Sequence, residues 1–240
     1  MPISIYPTDG KVSQISVFGD WVQANPPSIL PPPRRHVRQL KGSVIRNQLR
    51  RAPRLRQDTL LQMIFDSSWS VAGGNDVLGR RYELALIAIE HLAAVDGHGH
   101  WYVWLTAFDS PSVLDLPTLQ LNQRGLNQVR DVLLRENPGG SSVLGPSLER
   151  AELAASQFSG SRRVLVCLTD FELYDSDPIS VIQRLATFPA TEVLALSLRN
   201  DPPSLLARSG VSCAQVLPTD DPAQLANYVI EAAHACTNVQ

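Results

Sequence analysis

Three cysteines in 240 residues, an odd number with no Cys-x-x-Cys spacing, exclude a disulfide framework. Cys167 lies inside the apolar run 164–168, so Cys167, Cys213 and Cys236 read as buried free thiols. No apolar stretch reaches the roughly 18 residues of a membrane span. The N-terminus lacks the charged-then-apolar order of a secretory leader. A cytoplasmic address and no membrane partner are the resulting expectations. Also missing are a Gly-x-Ser-x-Gly elbow, a Walker loop and a Gly-x-Gly-x-x-Gly after a strand, so hydrolase, nucleotidase and dinucleotide chemistries lack their parts. Gly73-Gly74-Asn75 follows a strand but no phosphate-binding lysine accompanies it. His98-Gly99-His100 has no third ligand at a conventional zinc spacing and reads as a solvated turn.

What the chain does contain is 44% hydrophobic residues and a net charge of only −2, enough for one generous domain with a sizeable core. The small net charge conceals an asymmetry. Residues 1–57 hold ten of the 21 Lys/Arg but only Asp9 and Asp20 of the 23 acids, leaving 58–240 distinctly acidic. We therefore place a boundary near residue 57. The basic extension itself reads as a hairpin around Asp9-Gly10, a polyproline strap through Pro26-Pro27 and Pro31-Pro32-Pro33, and a basic amphipathic helix over 35–51. Such an arm folds back on an acidic body or reaches an outside anion, nucleic acid included.

Beyond residue 58, strand-like runs at 60–65, 101–108, 164–168, 193–198 and 214–217 alternate with helical patterns at 80–95, 122–135, 148–158, 179–187, 203–209 and 222–236. This alternation predicts a doubly wound α/β domain: a mostly parallel sheet flanked by helices, Rossmann-like in its layering. Ligands in such sheets gather outside the carboxyl ends of the strands, where strand order reverses. Asp66 directly follows the first strand, and Asp170 follows the strand 164–168 after one Thr. Both acids belong on that rim. If their strands are neighbours, the carboxylates repel unless a cation compensates.

Ser68 and Ser70 lie two and four residues past Asp66, and the turn Gly139-Gly140-Ser141-Ser142 precedes a helix. Singly, each piece is an ordinary cap or turn. Together they supply hard oxygens suited to a Mg²⁺-type ion, with no nucleophile and base pair that would mark an enzyme.

Asp66-x-Ser68-x-Ser70, the Gly-Gly-Ser-Ser turn and the strand-Thr-Asp ending in Asp170 resemble the three parts of the metal-ion-dependent adhesion site of von Willebrand factor A domains. The resemblance covers residues 58–240. It implies that Ser68 and Ser70 bind a Mg²⁺ ion (or Mn²⁺ or Ca²⁺) directly, with Asp66 and Asp170 acting directly or through water. The third hydroxyl falls on Ser142, with Ser141 as the alternative. Two departures stand out: Phe171 replaces the glycine usual after the second Asp, and the stretch 71–79 is longer and richer in glycine than is customary.

The resemblance implies a metal-dependent protein-interaction module whose open coordination position takes an Asp or Glu of a protein partner. Intracellular relatives work with AAA+ ATPases of the MoxR type, and arginine in place of lysine fits a GC-rich bacterial source. The alternative is a nucleic-acid-associated protein binding through its basic arm, with the second domain as scaffold.

Overall fold

A computed structural model describes residues 57–76, 79–95, 99–108, 112–135 and 140–238. The basic extension, from its hairpin to its amphipathic helix, lies outside the described residues, as do Gly139 and His98.

Six strands form one sheet: β1 (Thr59–Phe65), β2 (Trp101–Ala107), β3 (Leu116–Gln120), β4 (Arg162–Thr169), β5 (Glu192–Leu198) and β6 (Ser212–Val216), in the order β3-β2-β1-β4-β5-β6. Every pairing is parallel except β2 with β3. β1 is buried along its whole length. A parallel strand covered on both faces needs such a continuous apolar run rather than alternation.

The helices are α1 (Arg80–Val95), α2 (Gln123–Leu133), α3 (Gly145–Gln157), α4 (Pro178–Ala186), α5 (Ser204–Arg208) and α6 (Pro222–Asn238). Strand periodicity sorts the side chains. Leu61, Met63 and Phe65 of β1 pack with α1, α2 and α6, whereas Leu60 and Ile64 pack with α3, α4 and α5. Trp101 and Trp104 of β2 divide between the same two layers.

β3 departs from the sequence expectation, which placed no strand at 116–120. Pro117 disqualifies a central strand, yet an edge position tolerates its missing N–H. The pairing with β2 is also irregular between Val103 and Leu105. A second departure is a π-helical turn at Val71–Asn75, inserted between β1 and α1 where only a loop was expected. Helix boundaries otherwise shift by a few residues. α4 starts at Pro178 with the Asp177 side chain accepting from Ser180 N, and Asp221 rather than Asp220 accepts from Ala223 N in the first turn of α6.

Candidate functional site

β1 and β4 are adjacent, with Phe65 opposite Leu168, and Asp66 N donates to the Leu168 carbonyl at 2.8 Å. The chain leaves β1 toward α1 on one face and leaves β4 toward α4 on the other. Strand order reverses at this junction, which opens the crevice predicted to hold ligands. Asp66 and Asp170 therefore stand together on one rim, both almost wholly buried.

Local turns aim the oxygens. Asp66 Oδ1 accepts from Ser68 N at 2.8 Å, an Asx turn that folds the serine loop back over the strand end. Ser68 Oγ and Ser70 Oγ then lie 2.9 Å apart. The second Asp66 oxygen accepts from Thr169 Oγ1 at 2.6 Å. Asp170 is held similarly, Oδ1 accepting from Glu172 N at 3.0 Å and Oδ2 from Asn75 Nδ2 at 2.8 Å.

Phe171, in the position where glycine was the expected residue, adopts φ 60°, the left-handed conformation that suits glycine. The turn thus holds a large side chain in a backbone conformation that suits glycine. Phe171 N donates to Thr169 Oγ1 at 3.0 Å, and the ring packs against the α3, α4 and α5 layer.

The third loop is tied in through its backbone. Gly140 makes an isolated parallel bridge with Ser68, and the Ser142 carbonyl accepts from Tyr174 N at 2.9 Å. Both Asp175 carboxylate oxygens close the start of α3, accepting from Leu144 N and Gly145 N at 2.9 Å each. A Cβ on Gly145 would come within 2.9 Å of Asp175 Oδ1, so the close approach needs glycine. Ser141 Oγ accepts from Val143 N at 3.0 Å. Four of the five expected site residues, Asp66, Ser68, Ser70 and Asp170, sit together on the β1–β4 rim. Ser142 belongs to a loop bridged to that rim, and among the described residues no side-chain hydrogen bond joins it to the other four.

Burial pushes the Asp66 carboxyl above its usual range, by more than the hydrogen bonds from Ser68 and Thr169 pull it down, and the nearby Asp170 charge adds to the push. The donors that hold the two carboxylates are hydroxyls, backbone amides and the Asn75 amide, all neutral. Beneath them Cys167 is free and buried, its thiol raised far above the ordinary value by burial and then by Asp66. A buried thiol held in its protonated form is a poor nucleophile.

Among the described residues no three His, Cys, Asp or Glu side chains gather as a metal cluster, so a metal here would draw on hydroxyls. His100 instead pairs with Asp58, Nδ1 to Oδ1 at 2.9 Å. Sequence reasoning included Thr169 in the strand-Thr-Asp piece without a role for its hydroxyl, and gave no site role to Asn75, Asp175 or Asn200, whose Nδ2 donates to the Asp170 carbonyl at 3.0 Å. Only Thr169 had a local signal, its place between strand and acid. Two aromatic residues on these loops are exposed. Trp69, between the two serines, is 71% exposed, and Tyr174, bonded to Ser142, is 79% exposed.

No family model and no curated protein matches the chain. Solved structures do. A von Willebrand factor type A protein from Catenulispora acidiphila superposes with a TM-score of 0.53 at 17% identity, over 72% of this chain and 41% of that one. The PilB minor pilin from Streptococcus sanguinis gives 0.53 at 14% identity, over 77% and 62%. An aerotolerance-related membrane protein from Bacteroides fragilis gives 0.50 at 11% identity, over 72% and 98%. The chain thus spans less than two thirds of the first two. At these identities the likeness establishes a von Willebrand A-like fold. Among the described residues no helix is long and apolar enough to cross a membrane.

Proposed function

We propose that this chain is a protein-interaction module, not an enzyme, whose β1–β4 rim holds a divalent cation and presents it to an acidic side chain of a partner. The observation that carries this reading is the pair of buried acids held only by neutral donors, with Ser68 and Ser70 Oγ side by side in the loop that follows Asp66. Two adjacent carboxylates taken out of water need a compensating positive charge.

The donor set fits a hard ion such as Mg²⁺, or Mn²⁺ or Ca²⁺ in its place. When bound, the ion supplies Lewis-acid attraction for an outside carboxylate. Ser68 and Ser70 contribute direct oxygen ligands. Asp66 and Asp170, whose four oxygens already accept hydrogen bonds, act through water and set the charge of the site. Ser142 is favoured as the third hydroxyl because Ser141 Oγ is engaged with Val143 N.

Trp69 and Tyr174 are exposed on the loops that carry these oxygens, which suits a partner that presents its Asp or Glu among apolar residues. Exposed aromatics around a polar centre are typical anchors of interfaces. An AAA+ ATPase of the MoxR type and a cytoplasmic multi-protein system remain the partner class and setting suggested by resemblance.

Calorimetric titration of the full chain with Mg²⁺ and Mn²⁺ tests the reading. Wild type is expected to bind, and Asp66→Ala and Asp170→Ala to lose binding while staying folded. Unchanged affinity in both variants, or no binding by wild type, refutes it.

A further inference from the structure

The inserted π-helical turn has a specific consequence for the rim. It ends on Asn75, which the turn carries back over the strand ends until its amide reaches Asp170. Gly73 and Gly74, inside the turn, are exposed and would meet nothing on gaining a Cβ, so packing of these glycines does not explain its shape. π-turns are frequent at functional sites.

The amide is oriented from its other side. Arg199 Nη1 donates to Asn75 Oδ1 at 3.2 Å, which leaves Nδ2 to donate to Asp170 Oδ2 at 2.8 Å. Two partners of opposite demand fix which end of the amide is which. Arg199 follows β5 directly and holds φ 70°, a left-handed conformation that is strained for an arginine. Its backbone is clamped there, N donating to the Val216 carbonyl at 2.7 Å and O accepting from Gln215 Nε2 at 2.6 Å. Phe171, directly after Asp170, is the other non-glycine residue in that conformation among those described. Strain collected at adjacent strand ends marks a functional rim.

We propose that Asn75 is a positioning residue of the cation site, fixing the Asp170 carboxylate, and that Arg199 acts on the same carboxylate through Asn75. The inference rests on the cation reading above and adds two residues outside the expected ligand set. The amide preorganises Asp170 so that the carboxylate pays no reorientation cost on ion binding. The guanidinium polarises that amide and carries positive charge to the rim without touching the carboxylate. Partners of this kind typically change metal affinity about 10- to 100-fold when removed.

The test is Mg²⁺ titration of the full chain, with thermal melts of the ion-free protein in parallel. Asn75→Ala should weaken Mg²⁺ about tenfold with little change in the melting temperature. Arg199→Gly should weaken it about two- to threefold while raising the melting temperature, because glycine relieves the left-handed backbone. A purely structural role would move the two readouts together. The double variant should bind as Asn75→Ala alone does, since Arg199 acts through Asn75. Wild-type affinity in both single variants, or additive losses in the double, overturns the relay and leaves the cation site standing. A wild type that binds no Mg²⁺ overturns the cation site and the relay together.

Discussion

Asp66 and Asp76 stand ten residues apart, both buried, and the fold treats them in opposite ways. Asp76 Oδ2 meets Arg81 Nη1 at 2.6 Å, an ion pair in which both side chains are almost completely buried. Its carboxylate also accepts from Arg80 N and Arg81 N, fastening the start of α1. Asp66 receives only Ser68 N and the Thr169 and Ser68 hydroxyls, and faces Asp170 besides. One acid is neutralised from within the chain and serves stability. The other keeps its charge uncompensated at a ligand crevice, which is the arrangement expected where the compensating charge arrives from outside.

The most severe way to break the contrast is Asp76→Ala. It strands Arg81 without its partner and should cost about 3–5 kcal/mol in chemical denaturation. Asp66→Asn should do the reverse. It removes an unpaired buried charge, so stability holds or rises, while Mg²⁺ affinity measured by calorimetry falls about 100-fold. An equal loss of stability in the two variants would erase the distinction. Smaller still is Trp69→Ser. The ring is mostly in solvent, so denaturation should shift by less than about 0.5 kcal/mol and Mg²⁺ affinity should stay put, the ring being reserved for a partner.

The weakest effect concerns pH and a third kind of burial. His91 of α1 and His234 of α6 are both lowered from 6.5, by burial in each case, and His91 further by His234. The unfolded chain then binds more protons than the folded one between the depressed values and 6.5. Stability is full above that window and declines as pH falls through it. Asp66 carries the opposite sign. Its raised carboxyl gives stability that is complete below its ordinary value of 3.8 and lost as pH climbs through the folded value. Urea melts from pH 7.5 to 5 should show the histidine decline, and His91→Gln should flatten it.

Much of this arrangement is legible in the amino-acid order. Continuous apolar runs mark β1 and β4 as central strands, and the acids that follow them fall on one rim by the geometry of parallel sheets alone. β3 is hidden because Pro117 argues against a strand until its edge position is known. The supports of the rim are hidden for another reason. Asn75 reaches Asp170 across 95 residues and Thr169 reaches Asp66 across 103, so loop closure in the finished fold decides those contacts. The same holds for Asp175, whose grip on the start of α3 spans about thirty residues. Phe171 teaches a narrower lesson. Phe171 stands where the resemblance leads one to expect glycine, and the surrounding hydrogen bonds hold this bulky residue in the glycine conformation.

A crystal of the full chain soaked in MnCl₂ and measured at the manganese absorption edge tests the central claim most directly. The account predicts one strong anomalous peak at the β1–β4 rim, at about 2.2 Å from Ser68 and Ser70 Oγ, a bond length of the hard-cation range. An empty rim at saturating manganese, or a peak bound only elsewhere on the molecule, would contradict it.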